Sequence, residues 1–286
     1  MELTLGEAYR QGKTILFHAG NETPAFDAAC LFKKVFGLDR QALVVHSGES
    51  AGPGKTEEYF RLVRERADGR PLQYILGSWP FMELTLKVGE GVLIPREETE
   101  LLVTAAAQLL KGTETPKIID LCSGTGAVAL GLASLFPGAS IYAAERYDKA
   151  FGYLNLNIKN TGFQNVRAVQ TDILNPESTA EFPLPDCIVS NPPYVTTGEL
   201  ETLQTEVQRE PQTALDGGRD GLLFYRAIAA LWIPKLKHGG VAAAEVGEDQ
   251  AAQVAALFQA TGLSKIRILK DFNNIERVVT GINEKD

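Results

Sequence analysis

The chain has 286 residues, 44% of them hydrophobic and 22% charged, with a formal net charge of −8. That length supports one large domain or two ordinary ones with a substantial core, and no apolar run reaches the roughly 18 residues of a membrane span. Residues 1–85 carry 10 Lys+Arg against 11 Asp+Glu and residues 86–286 carry 18 against 25. Neither part offers the positive field with which proteins grip nucleic-acid phosphates, so no direct nucleic-acid partner is expected.

The first residues, MELTLGEAYRQGK, place acids before any base and lack an apolar stretch, so no signal peptide is expected. Cys30, Cys122 and Cys187 are odd in number, far apart and without CxxC spacing. This predicts neither a disulfide framework nor a metal site, and a reducing, cytoplasmic setting.

Along residues 1–80 the pattern is helical. Thr4 and Glu7 have capping-box spacing before a periodic stretch that stops at Gly20. Thr23-Pro24 opens a second helix ended by Gly37, QALVV marks a short third, and KTEEYFRLVRERADG a fourth ended by Gly69. Together they predict a small helical bundle. GPGKT (52–56) ends like a phosphate-binding loop, but Glu49 stands where that motif needs glycine, and a connecting loop is expected.

ELTLKV (83–88) alternates and predicts an extended segment or hairpin, so residues 81–95 read as a linker. EETELLVTAAAQLLK then reads as a helix. Seven strand-like runs follow among helical patterns: 117–121, 140–144, 166–170, 187–190, 241–246, 266–270 and 276–280. This alternation predicts a doubly wound α/β sheet over residues 96–286.

After the first of these strands comes CSGTGAVAL. Gly124 and Gly126 allow a sharp strand-to-helix turn and a close ligand approach, with Ser123 and Thr125 between and beside them. Glu145, nineteen residues on at the end of the next strand, can accept ribose hydroxyls. This much fits a dinucleotide as well as S-adenosyl-L-methionine. Asp120 favours the latter, because a carboxylate there suits a cationic amino-acid end and repels a pyrophosphate. Asp172, after the third strand, is placed to accept from an adenine amino group. Cys122 stands where such loops often have a further glycine.

The fourth strand leads into Asn191-Pro192-Pro193-Tyr194. Two prolines stiffen the loop and remove two donors, leaving carbonyls free to accept. Asn191 can accept from an incoming NH2, and Tyr194 offers a flat face for a planar amide or base. Two acceptors on one NH2 align its delocalised lone pair for attack on an activated methyl, without a metal or a strong base.

With these motifs in order, the chain resembles the HemK/PrmC family of protein-glutamine N5-methyltransferases over nearly its full length. The resemblance is carried by GRPLQYILGSWPFMELTLKVGEGVLIPREETELL, IIDLCSGTGAVAL, SNPPYV, EPQTALDGGRDGLLFYRAI and AEVGEDQ. It implies a seven-stranded Rossmann-like (class I) methyltransferase sheet with a small N-terminal helical bundle domain. It also implies S-adenosyl-L-methionine as cofactor and class I peptide chain release factors as substrates. Asn191, Pro192, Pro193 and Tyr194 would hold the glutamine amide, with Asn191 also near the cofactor. Asp120, Ser123, Gly124, Thr125, Gly126, Glu145 and Asp172 would bind the cofactor, and Arg96, Glu98, Thr99 and Glu100 would line or brace the mouth. Glu97 and Glu145 replace the proline and aspartate commoner at those positions. Residues 1–80 are expected to dock the protein substrate and the enzyme to act as a monomer. Methylation of a ribosomal-protein glutamine or of a nucleic-acid base, and a cofactor-binding module without catalysis, are the competing readings.

Overall fold

The computed structural model describes residues 2–285. Its contacts divide the chain into two compact units, Met1–Ser78 with Gln204–Arg209, and Trp79–Leu203 with Glu210–Asp286.

The first unit is helical: α1 (Leu5–His18), α2 (Pro24–Phe36), α3 (Arg40–His46), α4 (Pro53–Ala67) and α5 (Leu72–Leu76). The capping box forms as its spacing predicts, with Glu7 N donating to Thr4 Oγ1 at 3.2 Å and Thr4 N to the Glu7 carboxylate at 2.8 Å. Gly37 ends α2 in the left-handed conformation, φ 76°. GPGKT is no connecting loop: Pro53 to Thr56 form the first turn of α4, where proline's missing N–H costs nothing. Leu16, Leu31, Phe32, Tyr59 and Val63 fill the core. Among them Arg66 is buried, its Nε donating to Asp27 at 2.6 Å and its Nη2 pairing with Glu206. Glu206 lies in the short segment Gln204–Arg209, which clusters with this unit.

The second unit opens with the hairpin β1 (Ser78–Phe81) and β2 (Leu84–Lys87) and then α6 (Thr99–Leu109). Phe81 and Leu86 are buried in this unit's core. The main sheet has β3 (Lys117–Leu121), β4 (Ser140–Glu145), β5 (Val166–Gln170), β6 (Cys187–Ser190), β7 (Val241–Glu245), β8 (Ser264–Lys270) and β9 (Glu276–Ile282). They run in the order β5-β4-β3-β6-β7-β9-β8, parallel except for β9, as the seven-stranded Rossmann-like expectation requires.

Its central strands are apolar but for Lys117, Asp120, Ser190 and Glu245 toward their ends, because both faces are covered. Ile118, Val189 and Ala243 meet α6 and α7 (Ala127–Leu135) through Leu102, Val103, Leu130 and Leu132. Ile119, Ile188 and Ala242 meet α9 (Leu223–Ala227), the turn after it and α10 (Ala251–Ala260) through Tyr225, Trp232, Val254 and Phe258. The remaining helix, α8 (Asp148–Thr161), is tied to β2 by Asn157, whose Oδ1 accepts from Lys87 N at 2.6 Å. Among the described residues no helix is long and apolar enough to cross a membrane.

Candidate active site

The carboxyl ends of β3, β4 and β6 meet at a cavity enclosing about 940 Å³ of empty space, its open mouth included. The turn after β3 forms one wall. Cys122 adopts φ +61°, the left-handed region that explains why glycine is usual there, and Gly126 follows at φ +83°. A Cβ on Gly126 would come within 2.7 Å of Leu154 Cδ1, so close helix packing as well as backbone conformation requires glycine.

Asp120, Ser123, Gly124, Thr125, Glu145, Asp172, Asn191, Pro193 and Arg96 all line the cavity, and Gly126 sits in the turn behind. Pro192, Tyr194 and Glu98 stand outside that wall. Among the described residues no group of His, Cys, Asp or Glu could hold a metal ion.

Asp120 is buried and accepts from Ala129 N at 3.1 Å; burial pushes its carboxyl up to about 7. Glu145 is buried too, and burial raises its carboxyl against the backbone donors that stabilise its charge. Those donors are Gly124 N at 2.9 Å and Tyr147 N at 2.8 Å, so the carboxylate braces the turn that it faces. Asp172 Oδ2 pairs with Arg146 at 2.9 Å. Val92, Ile173 and Phe224 supply apolar wall.

The loop after β6 is held from three sides. Asn191 Nδ2 donates to Thr99 Oγ1 at 3.1 Å. Gln250 Nε2 donates to Tyr194 O at 2.9 Å. Gly217 N donates to Val195 O at 2.7 Å, and a Cβ on Gly217 would lie 2.8 Å from both Pro193 O and Tyr194 Cα. At Gly217 only glycine lets the two loops touch. Glu210 is buried and accepts from Ile94 N at 2.9 Å while pairing with Arg96. Arg96 thus lies ahead of α6, clamped to Glu210. The phenol of Tyr194 is pushed up to about 12 by burial, with the Glu245 carboxylate adding to the shift.

Glu245 was not foreseen as a site residue. It ends β7, is 2% exposed, and is pushed up to about 7 by burial. The signal was present: a carboxylate closing an otherwise apolar central strand, the same feature that singles out Asp120 and Glu145.

Comparison with known proteins agrees with this architecture. Residues 7–77 match the PrmC N-terminal domain model and residues 97–223 the methyltransferase small domain model. The release factor glutamine methyltransferase of Moorella thermoacetica is 36% identical over 96% of this chain and 95% of its own length. The namesake of Geobacter sulfurreducens is 36% identical over 93% and 92%. A solved methyltransferase from Pyrococcus furiosus, 16% identical, shares the fold with a TM-score of 0.51, covering 80% of this chain and all of that one. With relatives of that identity matched nearly end to end, the chain belongs to the release factor glutamine methyltransferase family.

Proposed function

We propose that the protein transfers a methyl group from S-adenosyl-L-methionine to the side-chain amide nitrogen (N5) of the glutamine in the Gly-Gly-Gln motif of class I peptide chain release factors, in the cytoplasm, supporting translation termination. The observation that carries the reading is the placement of Asn191 in the wall of a cavity flanked by buried carboxylates.

The residues present fit the cofactor. Asp120, Glu145 and Asp172 line the cavity; its arginines are matched, Arg146 by Asp172 and Arg96 by Glu210, which leaves Asp120 and Glu145 without a cationic partner there. Such a lining suits a ligand with cationic centres and disfavours a pyrophosphate. Asp120 would face the amino-acid end, Glu145 the ribose, and Asp172 with the apolar wall the adenine. Ser123, Gly124, Thr125 and Gly126 form the turn beneath. S-adenosyl-L-methionine, when bound, supplies a methyl group on a sulfonium, already activated for transfer.

The chain's own contribution is to bind and orient the acceptor. Asn191 Oδ1 and the Pro192 carbonyl accept the two amide hydrogens, and Tyr194 with Pro193 keeps the amide plane against the loop. Holding both hydrogens favours pyramidalisation of a nitrogen whose lone pair is otherwise delocalised. Arg96, Glu98 and Glu210 brace the mouth. A pocket this size reads little beyond the amide and its neighbours, so residues 1–80 supply the second surface that selects the release factor, and a monomer suffices.

The test is transfer of labelled methyl from the cofactor to intact release factor, Gly-Gly-Gln peptide, ribosomal protein and duplex DNA. Intact release factor should be the best acceptor and the short peptide a poor one. Asn191→Ala should lower turnover about 100-fold or more with cofactor binding retained. Preferential labelling of DNA or ribosomal protein would overturn the assignment.

A further inference from the structure

The hairpin of β8 and β9 carries its turn to the reacting edge of the sheet. Ser190, just before Asn191, pairs with Ala244, and Glu245 pairs with Val278 of β9. Because β9 runs antiparallel to β7, its first residues and the turn 271–275 before them lie beyond the carboxyl ends of β6 and β7. The base of the hairpin is tied to the frame of the catalytic loop. Val246 N donates to Arg277 O at 2.8 Å, and Gly247 N donates at 3.1 Å to Gln250, the side chain that grips Tyr194 O.

One side chain fixes the turn. Asp271 Oδ1 accepts from Asn273 N at 2.9 Å and from Ile275 N at 3.0 Å, and Oδ2 accepts from Arg277 Nε at 3.1 Å. Asn274, at φ +64°, donates its N–H to Asp271 O at 3.0 Å. Aspartate and asparagine suit such a turn, whereas a phenyl ring has no part in forming it. Yet Phe272 stands at the tip, 105% exposed, while no other large apolar side chain among the described residues exceeds 78%. Scattered apolar residues are normal on a surface. A ring held clear of every neighbour, on a clipped turn at the reacting edge, is placed to meet something that arrives there.

The distances fit the acceptor. From β6 to β8 there are three strand steps, and the tip lies three residues past Leu269, the partner of Val278. At about 4.8 Å per step and 3.4 Å per residue, Phe272 lies roughly 15–20 Å from Asn191. An interface of ordinary size covers about 800 Å² on each partner, a disc of roughly 16 Å radius. A folded protein whose glutamine reaches Asn191 therefore extends to this turn, and a short peptide does not.

We propose that Phe272 is a docking residue for the acceptor protein, its ring entering an apolar recess beside the glutamine loop. This rests on the release-factor reading above and adds to residues 1–80 a contact on the catalytic unit itself. The preformed turn loses little freedom on binding, so the ring's burial appears as affinity. Full burial of such a ring is worth roughly 10- to 100-fold, and a place near the interface margin lowers that range.

The experiment compares full-length wild type, Phe272→Ser and Phe272→Leu, each with intact release factor and with a short Gly-Gly-Gln peptide. Steady-state kinetics, cofactor Kd by calorimetry, Tm and sedimentation are measured for all three. Nothing packs on the ring, so Phe272→Ser should fold with the Tm of wild type. Its KM for intact release factor should rise about 5- to 50-fold, and Phe272→Leu should recover most of that loss. Its kcat, its kcat/KM on the peptide and its cofactor Kd should stay within about twofold of wild type. The docking role is overturned if KM for the intact factor is unchanged in Phe272→Ser, if the peptide suffers equally, or if Phe272→Leu is as impaired as Phe272→Ser. A wild-type dimer that Phe272→Ser converts to monomer would overturn it too, by giving the ring to a second copy of the chain. Wild-type enzyme that prefers DNA or ribosomal protein would refute the acceptor reading and this contact with it, a failure visible before any substitution is made.

Discussion

Asp120→Asn should reverse the usual sign of a core substitution, and do so only at high pH. Burial pushes the Asp120 carboxyl from 3.8 up to about 7, with Ala129 N only partly offsetting it. Below 3.8 both folded and unfolded chains carry the proton, and the full stability of the neutral group is present. As pH rises from 3.8 to about 7 the unfolded chain ionises first, so stability is lost across that window and none of the neutral-form advantage remains above it. At 1.36 kcal/mol per pKa unit the loss amounts to about 4 kcal/mol. Asparagine keeps an oxygen for Ala129 N but buries an NH2, which costs about 1–3 kcal/mol if unpaired. The variant should therefore be less stable than wild type at pH 4 and more stable at pH 8, there by about 1–3 kcal/mol, or roughly 5 °C in Tm. Urea titrations across that pH range would show the two stability curves crossing. Cofactor affinity, measured by calorimetry, should rise with pH through the same window in wild type and stay flat and weaker in the variant. Parallel stability curves would refute the argument, because they would mean that Asp120 is ionised throughout.

Glu145→Ala should weaken cofactor binding about 10- to 100-fold, the worth of charge-assisted hydrogen bonds of roughly 1.5–3 kcal/mol; calorimetry on a variant of intact Tm checks it, and unchanged affinity would remove Glu145 from the ribose. Gly126→Ala should destabilise the protein by about 2–4 kcal/mol, since the new Cβ adopts φ +83° and meets Leu154 Cδ1 at 2.7 Å. A denaturation midpoint equal to that of wild type would show that Leu154 yields freely.

The sheet was legible in the sequence because most of its strands are compact apolar runs separated by helices, and the observed limits of all seven differ from the expected ones by two residues at most. The glycine turn and the loop after β6 were legible because their chemistry is local. What stayed hidden depends on distant partners. The hairpin strand at Ser78–Phe81 contains Pro80 and has only four residues, too short to show alternation. The helix Leu72–Leu76 follows a proline and spans little more than one turn. Pro53 and Gly54 read as a loop because both residues favour one, whereas proline also suits a first helical turn. Nothing in residues 204–209 announces that Glu206 meets a buried arginine 140 positions away. Glu245 was passed over because its strand reads as pure core, and only the parallel register with β6 brings it beside Asn191.

The order of strands then explains why one sheet edge can hold both halves of the proposed reaction. Along the carboxyl ends of β4, β3, β6 and β7 stand Glu145, Asp120, Asn191 and Glu245 in turn. Neighbouring strands lie about 4.8 Å apart. On the proposed reading, the two acids that would serve the cofactor are thus on one side of Asn191, and Glu245 is on the other. Had the cofactor-facing acids flanked Asn191 on both sides, an amide approaching the loop would compete with the cofactor for the same space. Burial raises all three carboxyls above their ordinary range, so each opposes folding at neutral pH. Their cost is consistent with positions kept for chemistry rather than for packing.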